Sequence, residues 1–220
     1  MARHDLLQGE LSEHVATAVT ALKDGYVIVA PLEYSYALIT DAFMHDAVRA
    51  MHVLRGDSLG VAAQVAIANQ ESIDGIAREI SRDARLLMQN FWPGLLSLNL
   101  KPQAGLSWDL GDGNTLDQIS VRIPSSQFIL EVLKKSGPVA IASAALVGNA
   151  AINDSTDVTY LDSDVAAIFT AGALPIGGAS TVIDLTGIRT RIVREGAISR
   201  GEITALVPDI SLELGLGLRA

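Results

Sequence analysis

The sequence predicts a single α/β domain built on a twisted sheet of mixed parallel and antiparallel strands, with helices on its faces. Three observations lead there. Helical and extended patterns alternate along all 220 residues, with no internal repeat or low-complexity linker, which points to one domain rather than an array. Runs such as VAIASA (Val139–Ala144) and AAIFTA (Ala166–Ala171) are apolar on both faces, as strands are when helices cover both sides of a sheet. Strand signals then follow one another closely after residue 165, so part of the sheet must run antiparallel.

The elements follow in order. Val15, Val19 and Leu22 recur at helical spacing between Ser12, a candidate cap, and Gly25, a stop signal, and YVIVA (Tyr26–Ala30) then reads as a buried strand ended by Pro31. A helix over Asp46–Leu54 feeds the polar turn Arg55-Gly56-Asp57-Ser58, and Gly60–Ala68 reads as a strand. Helical pieces at Ile73–Glu79 and Asp83–Asn90 end at Trp92-Pro93-Gly94, because proline disfavours helical geometry in the residue before it. Leu95–Leu100 alternates as a strand, and the polar loop Lys101–Gln118 follows. A strand at Ile119–Ile123, a helix at Gln127–Lys135 closed by Gly137-Pro138, and strands at Val139–Ala142, Ala166–Thr170, Ser180–Leu185 and Arg191–Arg194 complete the sheet. Ser199 caps a last helix reaching Val207.

Composition removes several function classes. With 49% hydrophobic but only 5% aromatic residues, the core must be aliphatic, and a disordered chain is excluded. The 25 acidic against 16 basic residues give a net charge of -9, so a polyanion would have to be gripped by a local patch rather than by the overall field. The absence of cysteine removes disulfides and thiol chemistry. The N-terminus lacks a secretory pattern, and a cytoplasmic protein is expected. The uncharged stretches Ser136–Asn153 and Val165–Ile183 are interrupted by Gly, Pro, Ser and Asn, so they read as buried strands and loops rather than membrane spans.

The candidate chemistry is sparse until the arginines. His4, His14, His45 and His52 make no recognised metal-ligand spacing with a carboxylate and read as surface or helix-flank residues. Asp109, Asp112 and Asp117 gather carboxylates in a loop without the order of a calcium site. The glycine-rich segment Gly172–Thr181 (GALPIGGAST) could approach a phosphate, but it lacks the lysine of a P-loop. Arg189, Arg191, Arg194 and Arg200 cluster near the C-terminus and Arg122 sits at a strand end, which makes a local anion site plausible in an acidic chain.

Together these blocks resemble the YrdC-like family, whose active members are threonylcarbamoyl-AMP synthases that use threonine, bicarbonate and ATP in tRNA threonylcarbamoyladenosine biosynthesis. The resemblance rests on GYVIVAP (Gly25–Pro31) with Tyr36, FWPGLLSL (Phe91–Leu98), SVRIP (Ser120–Pro124), GPVAIASA (Gly137–Ala144), ASTVIDLTG (Ala179–Gly187) and RIVREGAIS (Arg191–Ser199). It sets expected boundaries of an N-terminal extension at 1–11, a YrdC-like domain at 12–207 and a tail at 208–220.

The resemblance implies a concave anion-binding cavity. Arg122 would hold a threonine carboxylate, with Ser143, Ser180, Thr181 and Tyr36 at the substrate, and Arg55, Ser143 and Arg194 at the nucleotide. It implies no tightly bound cofactor and no metal, ATP with Mg entering as substrate in an active enzyme. The implied partners are a small carboxylate or nucleotide, and RNA at a local basic cavity.

The triphosphate motifs depart from the family. Pro-Thr-Asp-Thr-x-Tyr-Gly stands here as Pro31-Leu32-Glu33-Tyr34-Ser35-Tyr36-Ala37, Lys-x-Arg as Arg55-Gly56-Asp57, and Ser-x-Asn as Ser143-Ala144-Ala145. Asp57 beside a phosphate, in place of Arg, would cost up to about 6 kcal/mol before solvent screening, at an effective dielectric near 20. Losing the amide at Ala145 would cost about 1 to 3 kcal/mol. The favoured expectation is therefore a catalytically impaired or repurposed member that keeps a carboxylate or nucleotide pocket. The alternatives are an active synthase with a rebuilt phosphate site, and a non-enzymatic RNA-binding or regulatory module.

Overall fold

The computed structural model describes residues 2–160 and 163–212; residues 213–220 of the expected tail lie outside the described residues. The elements are β1 (Ala2–Asp5), α1 (Leu11–Lys23), β2 (Ile28–Pro31), β3 (Tyr36–Asp41), α2 (His45–Arg55), β4 (Gln64–Ala66), α3 (Ile73–Ile76), β5 (Ala77–Arg78), α4 (Arg82–Phe91) and β6 (Leu96–Pro102). They continue with β7 (Ile119–Arg122), α5 (Gln127–Ser136), β8 (Val139–Ser143), β9 (Ala167–Thr170), β10 (Thr181–Asp184), β11 (Arg191–Arg194), α6 (Arg200–Leu206) and β12 (Ser211–Leu212).

One mixed sheet carries the fold, in the order β1-β9-β2-β3-β8-β4-β7-β6-β10-β11-β12, with β5 added beside β6. Pairs β1/β9, β2/β9, β4/β7, β6/β10 and β11/β12 are parallel, while β2/β3, β3/β8, β4/β8, β6/β7 and β10/β11 are antiparallel. The period-two alternation of strand side chains sorts the interior into two clusters. On one face α2, α4 and α6 contribute Met51, Leu87, Met88 and Ile203 against Leu38, Val65, Leu98 and Val121. On the other, α1 and α5 pack Leu22, Ile129 and Leu133 against Ile28, Ile39, Ile141 and Phe169.

Several local readings change. The first helix starts at Leu11 with Glu10 at its cap and no side-chain bond there, so Ser12 lies inside it. The segment Tyr36–Asp41 is a strand with five of six residues buried. The expected strand over Gly60–Ala68 shrinks to three residues, and the helix expected to reach Glu79 stops at Ile76, where Ala77 and Arg78 pair with β6. The last helix keeps its expected cap, since Ser199 Oγ accepts from Glu202 N and the Glu202 side chain accepts from Ser199 N, a reciprocal box that satisfies two orphan donors.

Two of the histidines form an aromatic group with the core. His4 on β1 stacks on Phe169 at 5.1 Å between centroids and meets His14 of α1 edge-on at 5.9 Å. Burial, with a smaller contribution from His14, lowers the His4 pKa. The folded chain thus resists a proton that the unfolded chain accepts, so this contribution is full above the ordinary histidine value and lost as pH falls below it. His4→Phe should flatten the decline in urea midpoint between about pH 7 and about pH 5; an unaltered slope would assign that decline to other groups. Leu38, fully buried in β3, should cost about 2 to 5 kcal/mol when replaced by alanine, measured by the same titration.

Candidate functional site

Five strands, the end of α2 and three loops converge on one cavity of about 290 Å³. Its wall contains Leu32 and Ser35 from the β2–β3 turn, Arg55, Gln64, Arg122, Ser143, Ser180 and Arg194. Arg55 ends α2, Gln64 opens β4, Arg122 and Ser143 end β7 and β8, Ser180 precedes β10, and Arg194 ends β11. Polar groups at strand ends, on a sheet whose interior is aliphatic, make the cavity a polar hollow with rigid walls.

Two of its three arginines are held by carboxylates of the chain itself. Arg122 Nη2 donates to Glu33 Oε1 and Oε2 at 2.5 and 2.6 Å, and Oε1 also accepts from Ser125 N at 2.7 Å and Ser125 Oγ at 3.2 Å. The side chains of this pair are only 6% and 10% exposed, so water screens them weakly. Arg55 Nη1 donates to both oxygens of Asp57, at 2.9 and 3.2 Å. Asp57 lies 2.8 Å from His52 Nδ1 on its other side, and His52 Nε2 lies 2.8 Å from Leu110 O. The Asp57 side chain is 3% exposed and lines a separate cavity with His45, His52 and Asp109. The expected repulsion between a bare Asp57 and a phosphate therefore does not arise. Asp57 is compensated in place.

Arg194 is different. Its Nε donates to Ser180 O and its Nη2 to Ser180 Oγ, both at 3.0 Å, and it has no acidic partner among the described residues. Burial lowers its pKa, a sign that its charge is imperfectly solvated. Ser180 Oγ also accepts from Ser97 Oγ at 2.9 Å, and Gln64 Nε2 donates to Ser97 Oγ at 2.8 Å and to Ser120 Oγ at 3.1 Å. This chain of small dipoles holds Ser180 in position. Two guanidinium nitrogens, Nε of Arg55 and Nε of Arg122, are buried without a hydrogen-bond partner. Buried donors are normally satisfied, so both are suited to an acceptor supplied by a ligand.

The remaining residues singled out in the sequence are architectural. Tyr36 is fully buried; its hydroxyl donates to Gly172 O at 2.7 Å and accepts from Ala171 N at 2.9 Å, which ties β3 to the start of the glycine segment. Thr181 is also fully buried, with Oγ1 donating to Ile198 O and accepting from Gly196 N and Ile198 N. A Cβ on Gly196 would lie 2.2 Å from Ala179 O, so only glycine allows this approach of the two loops. Tyr34, at the family's second threonine, faces Gly177 so closely that a Cβ there would lie 2.4 Å from its ring. Neither Tyr36 nor Thr181 lines the cavity. Glu33, Gln64 and His52 are the participants that sequence reasoning passed over. The one available signal was that Glu33 keeps an acid at the family's Asp position.

With the geometry in place, comparison with known proteins gives the family. The Sua5/YciO/YrdC profile, described as telomere recombination, matches residues 20–196. The chain belongs to the Sua5/YciO/YrdC family. It is 32% identical over 197 residues to a Mycobacterium tuberculosis protein assigned as a threonylcarbamoyl-AMP synthase, covering 89% of this chain and 90% of that protein. It is 31% identical over 206 residues to the threonylcarbamoyl-AMP synthase of Bacillus subtilis, covering 92% of this chain and 59% of that one. Sua5 of P. abyssi complexed with L-threonine superposes with a TM-score of 0.87 at 26% identity, over 96% of this chain and 62% of that one. The YrdC-type mixed sheet with flanking helices expected from the sequence is thus the fold of the molecule. Among the described residues no helix is long and apolar enough to cross a membrane.

Asp57→Ala should destabilise the chain by about 3 kcal/mol in urea unfolding, because it strands the Arg55 guanidinium beside an unpaired His52 nitrogen. A change below about 0.5 kcal/mol would show that Asp57 carries no such compensation.

Proposed function

We propose that this chain is a catalytically impaired or repurposed member of the Sua5/YciO/YrdC family, which keeps a pocket for a small carboxylate or nucleotide. One observation carries the reading. Of the three arginines in the cavity wall, Arg55 and Arg122 are paired with Asp57 and Glu33, which leaves a single uncompensated guanidinium at Arg194. A triphosphate needs several cationic contacts that are stronger for the ligand than for the protein's own acids. One free cation with serine hydroxyls suits a single phosphate or a carboxylate instead. The side chain at Ala145 offers no amide to add to it.

The competing reading, a working synthase with a rebuilt phosphate site, draws on the unpartnered Nε atoms of Arg55 and Arg122. Turnover separates the two. Pyrophosphate release and threonylcarbamoyl-AMP formation from ATP, L-threonine and bicarbonate should fall at least about 100-fold below the Bacillus subtilis relative under the same conditions, as expected from losing roughly 3 kcal/mol of transition-state stabilisation. Comparable turnover would establish the rebuilt site. Arg194→Ala should weaken AMP binding about tenfold in calorimetric titration, in line with losing a charge-assisted contact of roughly 1.5 kcal/mol, and equal affinity in the variant would move the anion site elsewhere.

A further inference from the structure

The turn that carries Glu33 is a fixed object. Leu32 N donates to Ser35 O at 2.9 Å, which closes the turn between β2 and β3, and the neighbouring Tyr34 ring is pressed against the backbone of Gly177. Ser126 Oγ donates to Pro31 O at 3.2 Å, fastening the same turn to the start of α5. Glu33 is thereby held toward Arg122 across 89 residues of sequence. Its carboxylate collects four contacts from three donor groups: Nη2 of Arg122 to both oxygens, and the amide and hydroxyl of Ser125 to one of them. Those are the contacts a ligand carboxylate would seek in this corner of the cavity.

We propose that Glu33 is a built-in carboxylate that fills the seat at Arg122 and so decides which ligands the cavity accepts. The proposal rests on the impaired or repurposed reading above and narrows its ligand class. A free carboxylate must displace a group tethered millimolar or more in effective concentration, and in doing so it leaves Glu33 buried without its cation. That state is costly because a desolvated charge without a partner is far worse than the pair. A ligand that places a phosphate or neutral group near Arg194 and the serines meets no such competitor. Glu33 therefore acts as a specificity determinant by exclusion, a repulsive element set against carboxylates. The Nε of Arg122 is buried without a partner, while Nη2, one prong of the two-pronged grip that makes arginine selective for carboxylate, is already given to Glu33.

Calorimetric titration with L-threonine and with acetate tests this on the full chain. The wild type should bind both only weakly, while Glu33→Ala should bind both at least tenfold more tightly, with acetate restoring thermal stability to the variant in a concentration-dependent way. Glu33→Gln, which keeps the shape and removes the charge, should fall between them, and adding Arg122→Ala to Glu33→Ala should erase the gain. A merely structural ion pair predicts loss of stability with no carboxylate rescue, and that result overturns the proposal. So does a wild type that binds L-threonine as tightly as the variants, a measurement that needs no variant to fold. Normal synthase turnover by the wild type would overturn the proposed function as well. Absent rescue in a chain that is also inactive overturns only the role given to Glu33.

Discussion

The contact on which the cavity depends is the ion pair between Glu33 and Arg122. It joins the β2–β3 turn to the end of β7, two pieces of chain that the sheet order separates by β3, β8 and β4. Both groups are almost fully withdrawn from water, and such a pair stabilises little relative to apolar packing, since desolvation offsets most of the attraction. Its importance is geometric. Once the turn is fixed by Arg122 and Ser125, Leu32 and Ser35 form one wall of the cavity, and Tyr34 is left to meet Gly177. The glycine segment then has a defined partner on the far side, and Tyr36 and Thr181 anchor its two ends. Shape here follows from a charge pair that contributes modestly to net stability.

The same logic explains the second acid. An arginine at position 55 in an acidic chain could be balanced by solvent or by a ligand, yet here it is balanced by Asp57 and, beyond it, His52 and Leu110 O. The 101–118 loop reaches α2 through this contact, and a Cβ on Gly111 would lie 2.3 Å from His52 Nε2, so the loop backbone itself closes over the ring. The wall of the cavity and the loop outside it are therefore one electrostatic unit. Residues far apart along the sequence, at positions 33, 55, 57 and 122, converge on a single outcome: two of the cavity's three arginines are paired from within.

Much of the architecture was legible because it rests on local signals. The apolar runs at Val139 and Ala167, the strands carrying Arg122 and Arg194, and the Ser199 capping box are written in consecutive residues, where periodicity and capping chemistry operate. The strand Tyr36–Asp41 escaped because it follows a turn of unusual composition, and Ser12 was misplaced because helix starts without a side-chain cap leave no mark. The cavity arginines were legible from their placement as a local anion site, while the substrate roles of the cavity residues came only from family resemblance. Spacing could collect Arg122, Ser143, Ser180 and Arg194 as hydroxyls and cations on strand ends, but it could not say which acids they face. Glu33 and Arg122 are 89 positions apart, and Asp57 turns away from the cavity because His52, one helical turn upstream, draws it there. Charge at a position was readable; compensation of that charge was not.

This distinction alters what divergence within a fold means for activity. The mixed sheet with its flanking helices is that of the Sua5/YciO/YrdC family, and the superposition on a threonine complex is close. A site of this kind works by offering a ligand charges that nothing in the free protein satisfies as well. In this chain two arginines have already found partners, so their interaction energy is spent in the folded state before any ligand arrives. Among the described residues, Arg194 is the cavity arginine without an acidic partner, its charge held at the wall by neutral dipoles of Ser180. Two of the three cationic corners of this cavity are thus occupied by the chain's own acids in the folded state.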